Sequence, residues 1–230
     1  SAMFQGYCLQ YFFGSFLEGR IRNRRISVLA VTALYGALRL GAGFFLPKGY
    51  TSFWVFVRLT VILCIISVTA LVFYRAIGKM ALFLIVTFMA VGEMSFFLAH
   101  MLFELGNHLF RLWDWCLGNG YISSLEFYNC IASITLMGNQ ILFYAIGAAV
   151  LYFTLRRVVQ DYREKEYAVH RTELLFILIP GMTGLMVCTL LRITIDTAEN
   201  GVPEVLYDRY PSLMVIMPVI LLLLLFSVMF

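Results

Sequence analysis

Glu93, His100, Glu104 and His108 are separated by seven and four residues, so they share one face of any helix that holds them. Carboxylates and imidazoles on one helical face suit three kinds of chemistry. The first is metal binding, because the steps of four from His100 to Glu104 to His108 could present ligands together. The zincin spacing is absent, however, and His170, the remaining histidine, falls on the opposite side of the membrane in the topology derived below, so no metal site is assigned. The second is catalysis, which needs a nucleophile with its base or a metal with an open position. Neither is assembled, so no catalytic residue and no cofactor is assigned. The third is electrostatic. Arg39 and Arg58 lie in the two preceding apolar segments and could neutralise Glu93 and Glu104 as a structural network. Alternatively, Arg39, Arg58, Glu93, His100 and Glu104 line an outward-facing polar pocket for a ligand, walled by aromatic residues of the first and third segments.

All of these residues sit in apolar surroundings. The chain is 62% apolar and 13% charged, whereas soluble domains run near half apolar and a quarter charged. Most of the apolar residues form runs of roughly 18 to 28, long enough to cross a hydrocarbon core of about 30 Å as helices. Backbone exposed to lipid must satisfy its own hydrogen bonds, which requires the helical form. The runs are Met3 to Leu17, Ile26 to Phe45, Phe53 to Tyr74, Met80 to Leu105, Tyr128 to Leu155, Leu174 to Leu191, and Leu213 to Phe230. They predict an all-α polytopic transmembrane bundle of about seven spans, or six if the short first run does not cross. Its partner is the lipid bilayer; nucleic-acid binding has no support. Ser1-Ala2 reads as a cloning scar and 3–230 as one transmembrane domain. The last run lacks a Lys, Arg, Trp or Tyr anchor at its end, so a truncation is expected there.

Positive charge orients the bundle. The connections after the first, third and fifth runs hold Arg20, Arg22, Arg24 and Arg25, then Arg75 and Lys79, then Arg156, Arg157, Arg163, Lys165 and Arg171. The connections after the second, fourth and sixth hold Lys48, Arg111, Arg192 and Arg209. The positive-inside rule then sets the N-terminus outside and the C-terminus in the cytoplasm. Trp113, Trp115 and Tyr121 suit the headgroup region of the outer side. Cys116 and Cys130 share that side, where an oxidising compartment permits a disulfide. Cys8, Cys64 and Cys188 read as small packing residues. The pairs Ala37 and Gly41, and Ala145 and Ala149, allow close helix contact without specifying a homodimer face.

Two stretches carry a family resemblance: Leu151-Tyr-Phe-Thr-Leu-Arg156-Arg157, and Tyr167-Ala-Val-His170-Arg171-Thr-Glu173 running on to Pro180. They resemble the fifth-to-sixth helix junction of GHKL-type sensor histidine kinases of Firmicutes, a group that includes the accessory-gene-regulator quorum-sensing receptors. Phe16-Leu-Glu18-Gly-Arg20 is a weaker second match. The resemblance implies a sensor domain in a bacterial plasma membrane, ahead of a cytoplasmic dimerisation helix and an ATP-binding domain. It also implies an extracellular peptide or small-molecule ligand, a homodimer, and two-component signal transduction. No phospho-acceptor histidine or nucleotide-binding glycine box is present, so this chain is not itself expected to be an enzyme. The runner-up is a small transporter or channel, against which stands the lack of an evident inverted repeat.

The orientation is open to direct test. In intact cells, an impermeant thiol reagent should label a cysteine placed beside Lys48 and spare one beside Arg163. The opposite pattern would reverse the topology.

Overall fold

The computed structural model of the chain describes the backbone of residues 2–21, 23–46, 52–75, 78–110, 118–120, 125–164, 171–198 and 211–229. Side chains are described for most of these, but not for 52, 78–79, 103–110, 125–137, 139–140, 162–164, 171–177, 195–198, 211 or 213–214. Seven long helices follow one another among the described residues: α1 (Ala2–Phe16), α2 (Arg24–Phe45), α3 (Ser52–Phe73), α4 (Gly78–Phe110), α5 (Leu125–Glu164), α6 (Arg171–Ala198) and α7 (Pro211–Met229). Four of them contain stretches long and apolar enough to cross a bilayer: 24–45, 53–73, 80–102 and 141–161. Shorter apolar stretches occupy 178–194 of α6 and 215–229 of α7. This all-helical architecture is that of a multi-pass membrane protein.

Helix α4 is the hub. It packs against α1, α3, α5, α6 and α7, and 72% of its apolar stretch is buried, against 17% for α2. Leu84, Ala90, Val91, Met94 and Leu98 of α4 are almost fully enclosed. The peripheral helices turn their apolar side chains outward instead: Leu29, Phe44 and Phe45 of α2, and Leu71 of α3, are exposed as lipid-facing residues should be. Helix α7 is apolar all round, and Leu221, Leu225 and Val228, one face of it, pack inward.

Helix α1 has only 15 residues, which reach about 22 Å, yet Cys8, Leu9, Phe12 and Phe13 are completely buried. Its neighbours are α2, α4 and α5. A helix enclosed in this way meets protein rather than lipid along much of its length.

At one end of the bundle the polypeptide is tied by a short antiparallel bridge between Gly19 and Tyr74. The Arg20 N–H donates to the Phe73 carbonyl at 2.8 Å, and the Arg75 N–H donates to the Glu18 carbonyl at 3.0 Å. The Tyr74 hydroxyl, buried against Phe13, donates to the Gln10 carbonyl at 3.3 Å. Asn23 then caps α2, its side chain accepting from the Arg25 N–H. The arginine-bearing connections after α1 and α3 therefore meet at the same end, as the charge pattern requires.

Three local expectations are corrected. Helix α5 does not end near Leu155 but continues to Glu164. Val158 and Val159 stay buried, and Arg157 pairs with Asp161 at 3.5 Å one turn on, so the charged stretch extends the helix. Cys64 is exposed on the outward side of α3 beside Val68 and Leu71, whereas Cys8 and Cys188 are buried as expected. The close helix contacts also use different small residues. Ala37, Ala145 and Ala149 face outward, and nothing lies within 4 Å of a Cβ placed on Gly41. Gly6 abuts the α2 backbone at Thr32, and Gly147 abuts the Phe96 ring. Cys116 lies outside the described residues, as does the side chain of Cys130.

A Cβ at Gly6 would stand 3.0 Å from the Thr32 Cα and 3.2 Å from its carbonyl oxygen, backbone atoms that cannot swing aside. Gly6→Ala should therefore lower the thermal midpoint in detergent, at a cost of about 1–3 kcal/mol. Gly41→Ala, with open space around it, should leave the midpoint unchanged or raise it through helix propensity. Equal effects at the two positions would contradict the close α1–α2 contact.

Candidate functional site: a polar cavity among the helices

Arg39, Arg58 and Glu93 belong to three different helices, yet each lies fifteen residues from the end nearest the Gly19–Tyr74 bridge, at Arg24, Phe73 and Gly78 respectively. At 1.5 Å per residue all three stand about 22 Å along the bundle. Equal depth brings them to one cavity system. One lobe, of about 270 Å³, is lined by Arg39, Glu93 and Arg192, by Gln5, and by the rings of Tyr35, Phe88, Phe96, Phe143 and Tyr144. The other, of about 380 Å³, is lined by Ala42, Gly43 and Leu46 of α2, Arg58 and Ile62 of α3, and again Arg39 and Arg192. The shared residues Arg39, Ile62 and Arg192 form the wall between the two lobes.

The Glu93 carboxylate is paired with Arg192 at 3.2 Å, with side-chain exposures of 13% and 34%. This joins α4 to α6. Sequence reasoning assigned Glu93 to Arg39 or Arg58 and left Arg192 in an outer connection, because the apolar run was ended at the first charge. In the structure α6 continues to Ala198, and Arg192 is a helical residue. The signal was available: Ile193-Thr-Ile195 follows Arg192 and prolongs the apolar pattern.

Tyr35 is buried at the rim of the carboxylate. Its ring meets Phe88 edge-on at 6.5 Å, and its hydroxyl approaches Gln5 Oε1 at a long 3.5 Å. His100 lies two turns beyond Glu93 on α4. Its ring packs against Phe97 and, edge-on at 6.2 Å, against Phe143, itself a wall of the cavity. The side chains of Glu104 and His108 lie outside the described residues. Among the described residues no group of three His, Cys, Asp or Glu side chains is placed to hold a metal.

The aromatic lining differs from expectation. It comes from α2, α4 and α5, not from the first and third spans. Phe12 and Phe13 of α1 are consumed by the core, and Phe53 and Phe56 of α3 face outward. A strongly apolar helix gives no periodic signal of which face turns inward, so sequence alone could not rank these rings.

No protein-family model, no curated protein and no solved structure matches this chain.

What the arrangement can do is hold charge away from water. Breaking a fully buried ion pair by removing one partner costs about 3–5 kcal/mol, because the other charge is left uncompensated; this pair, with Arg192 34% exposed, should cost less. Glu93→Gln and Arg192→Gln should each lower stability in detergent, and the double variant should recover part of the loss. The expected coupling is about 0.5 kcal/mol or more. The cycle between Glu93 and Arg39 should be closer to additive. A larger coupling to Arg39 than to Arg192 would overturn the pairing.

Proposed function

We propose that the chain is the membrane-embedded sensor module of a GHKL-type histidine kinase, binding an extracellular peptide or small molecule in the polar cavity. The observation that carries this reading is the linkage between the cavity and α7. Arg192 lines both lobes, its helix α6 packs on α7, and α7 also packs on α4, the helix of Glu93. A ligand that engages Arg192 or competes for Glu93 would favour one α4–α6 arrangement, and with it one seating of α7. A shift of this kind requires unequal affinity for two states. The last helix would hand that change to a cytoplasmic kinase region, in a plasma membrane with the N-terminus outside, and in a homodimer. The resemblance of the stretches around Arg156 and His170 to this family supports the assignment.

Two results are required. The native gene should encode, in frame after Phe230, a histidine-bearing helix followed by an ATP-binding domain. Proteoliposomes should show no protein-dependent flux of radiolabelled phosphate or glutamate. A further set of transmembrane segments in place of the kinase region, or saturable flux of either solute, would replace the receptor by a transporter.

A further inference from the structure

The cavity carries more positive than negative charge among its described lining residues, and Arg58 already has an interaction partner of its own. Among its described lining residues are three guanidiniums, Arg39, Arg58 and Arg192, and one carboxylate, Glu93, which is engaged by Arg192. The lobe between α2, α3 and α6 has all three arginines in its wall and no described acidic residue. Arg39 faces both lobes and forms no ion pair among the described residues. An arginine does not shed its proton at any ordinary pH. Charge held at membrane depth is costly unless a counter-charge or water meets it.

The structure assigns this lobe, we infer, as a binding site for an oxyanion, a carboxylate or phosphate group received between Arg39 and its neighbouring guanidiniums. Planar guanidinium forks match the paired oxygens of such groups and form charge-assisted hydrogen bonds with them. The geometry leaves space for it: a cavity of about 380 Å³ falls within the usual range for small-molecule sites. Gly43 adds no side chain to the wall, and a Cβ there would meet nothing within 4 Å. The aromatic lobe beside it offers apolar surface to whatever body carries the oxyanion. Arg192 is shared by both lobes and is the partner of Glu93, so an anion reaching Arg192 would compete with the Glu93 carboxylate. This names the ligand chemistry of the site proposed above and rests on that reading only for the cavity being a ligand site. Flux and anion binding are separate measurements, and either can fail alone.

The oxyanion could arrive in solution or as a lipid headgroup, and two arms separate these sources. The purified chain in a neutral detergent is titrated with inorganic phosphate against sodium chloride at matched ionic strength, and separately with phosphatidylglycerol against phosphatidylcholine in mixed micelles. The expected result is a saturable rise in thermal midpoint in at least one arm: phosphate identifies a soluble ligand, phosphatidylglycerol a headgroup. Arg39→Gln should raise the half-saturating concentration about tenfold, the loss of one charge-assisted contact. Arg156→Gln, which removes the same charge from an exposed position on α5, should leave it unchanged. Arg39→Lys, which keeps the charge but not the fork, should fall between. No saturable rise in either arm overturns the site, as does a rise that Arg39→Gln leaves undiminished.

Discussion

A carboxylate and a guanidinium that meet inside an apolar bundle constrain everything around them. Glu93 and Arg192 stand 3.2 Å apart on α4 and α6, at a depth where an unpaired charge would cost several kcal/mol. The pair does not have to stabilise the fold relative to an apolar substitute, since desolvation offsets most of the attraction. What it does is set register. Sliding α6 past α4 by one turn, about 5.4 Å, would separate the charges and would also carry Gly184 and Gly181 away from Met94 and Ala90, which they face. Apolar helix faces specify that two helices touch; a buried charge specifies where.

The position of that pair follows from the centrality of α4. A helix packed on five neighbours has little face left for lipid, so its polar atoms look to protein for partners, although the buried Thr87 hydroxyl finds none. Ser95, buried on α4, donates back to the Val91 carbonyl at 2.6 Å, and Thr69 on α3 does the same to Ile65 at 2.7 Å. Both hydroxyls are closed within their own helices. Glu93 has no such local solution, because a carboxylate cannot donate and the carbonyls of its own helix cannot serve it. It must reach across to another helix, and the space needed for long arginine side chains around it is what opens the cavity. The bridge of Gly19 with Tyr74 ties the connection after α1 to the end of α3 at the opposite level.

Seven helices were legible in the sequence because lipid imposes a minimum apolar length, and that constraint acts on each segment separately. Pairing was less legible because it is a relation between segments. Arg39, Arg58 and Glu93 could be placed at one depth from counting alone, and the structure brings them to one cavity system. Arg192 was missed because a charge near the end of an apolar run looks like its boundary, although the isoleucines that follow show that the helix continues. The small-residue pairs misled for a related reason. Spacing of four identifies a face but not its orientation, and glycines that do permit close contact, Gly6 and Gly147 among them, are set mainly against a backbone or a bulky ring. The extension of α5 through Arg157 and Asp161 was hidden by composition, since a helix leaving the bilayer changes from apolar to charged without ceasing to be helical.

These features bear on how a local event in the cavity could be transmitted. Helix α7 has three inward leucine and valine positions, Leu221, Leu225 and Val228, with an apolar outer surface, and no buried charge among its described residues to set its register. Pro218 removes a backbone hydrogen bond within it. Its seating is therefore determined by the shapes of α4, α5 and α6 against which it lies. The α4–α6 contact, by contrast, is keyed by Glu93 and Arg192. A bundle built this way has one electrostatically indexed contact next to one that follows shape alone. Changing the partner of Arg192 would act directly on the first, and the second would have to accommodate. In the receptor reading proposed above, this asymmetry would give the cavity a physical path to α7 without a wire of special residues between them.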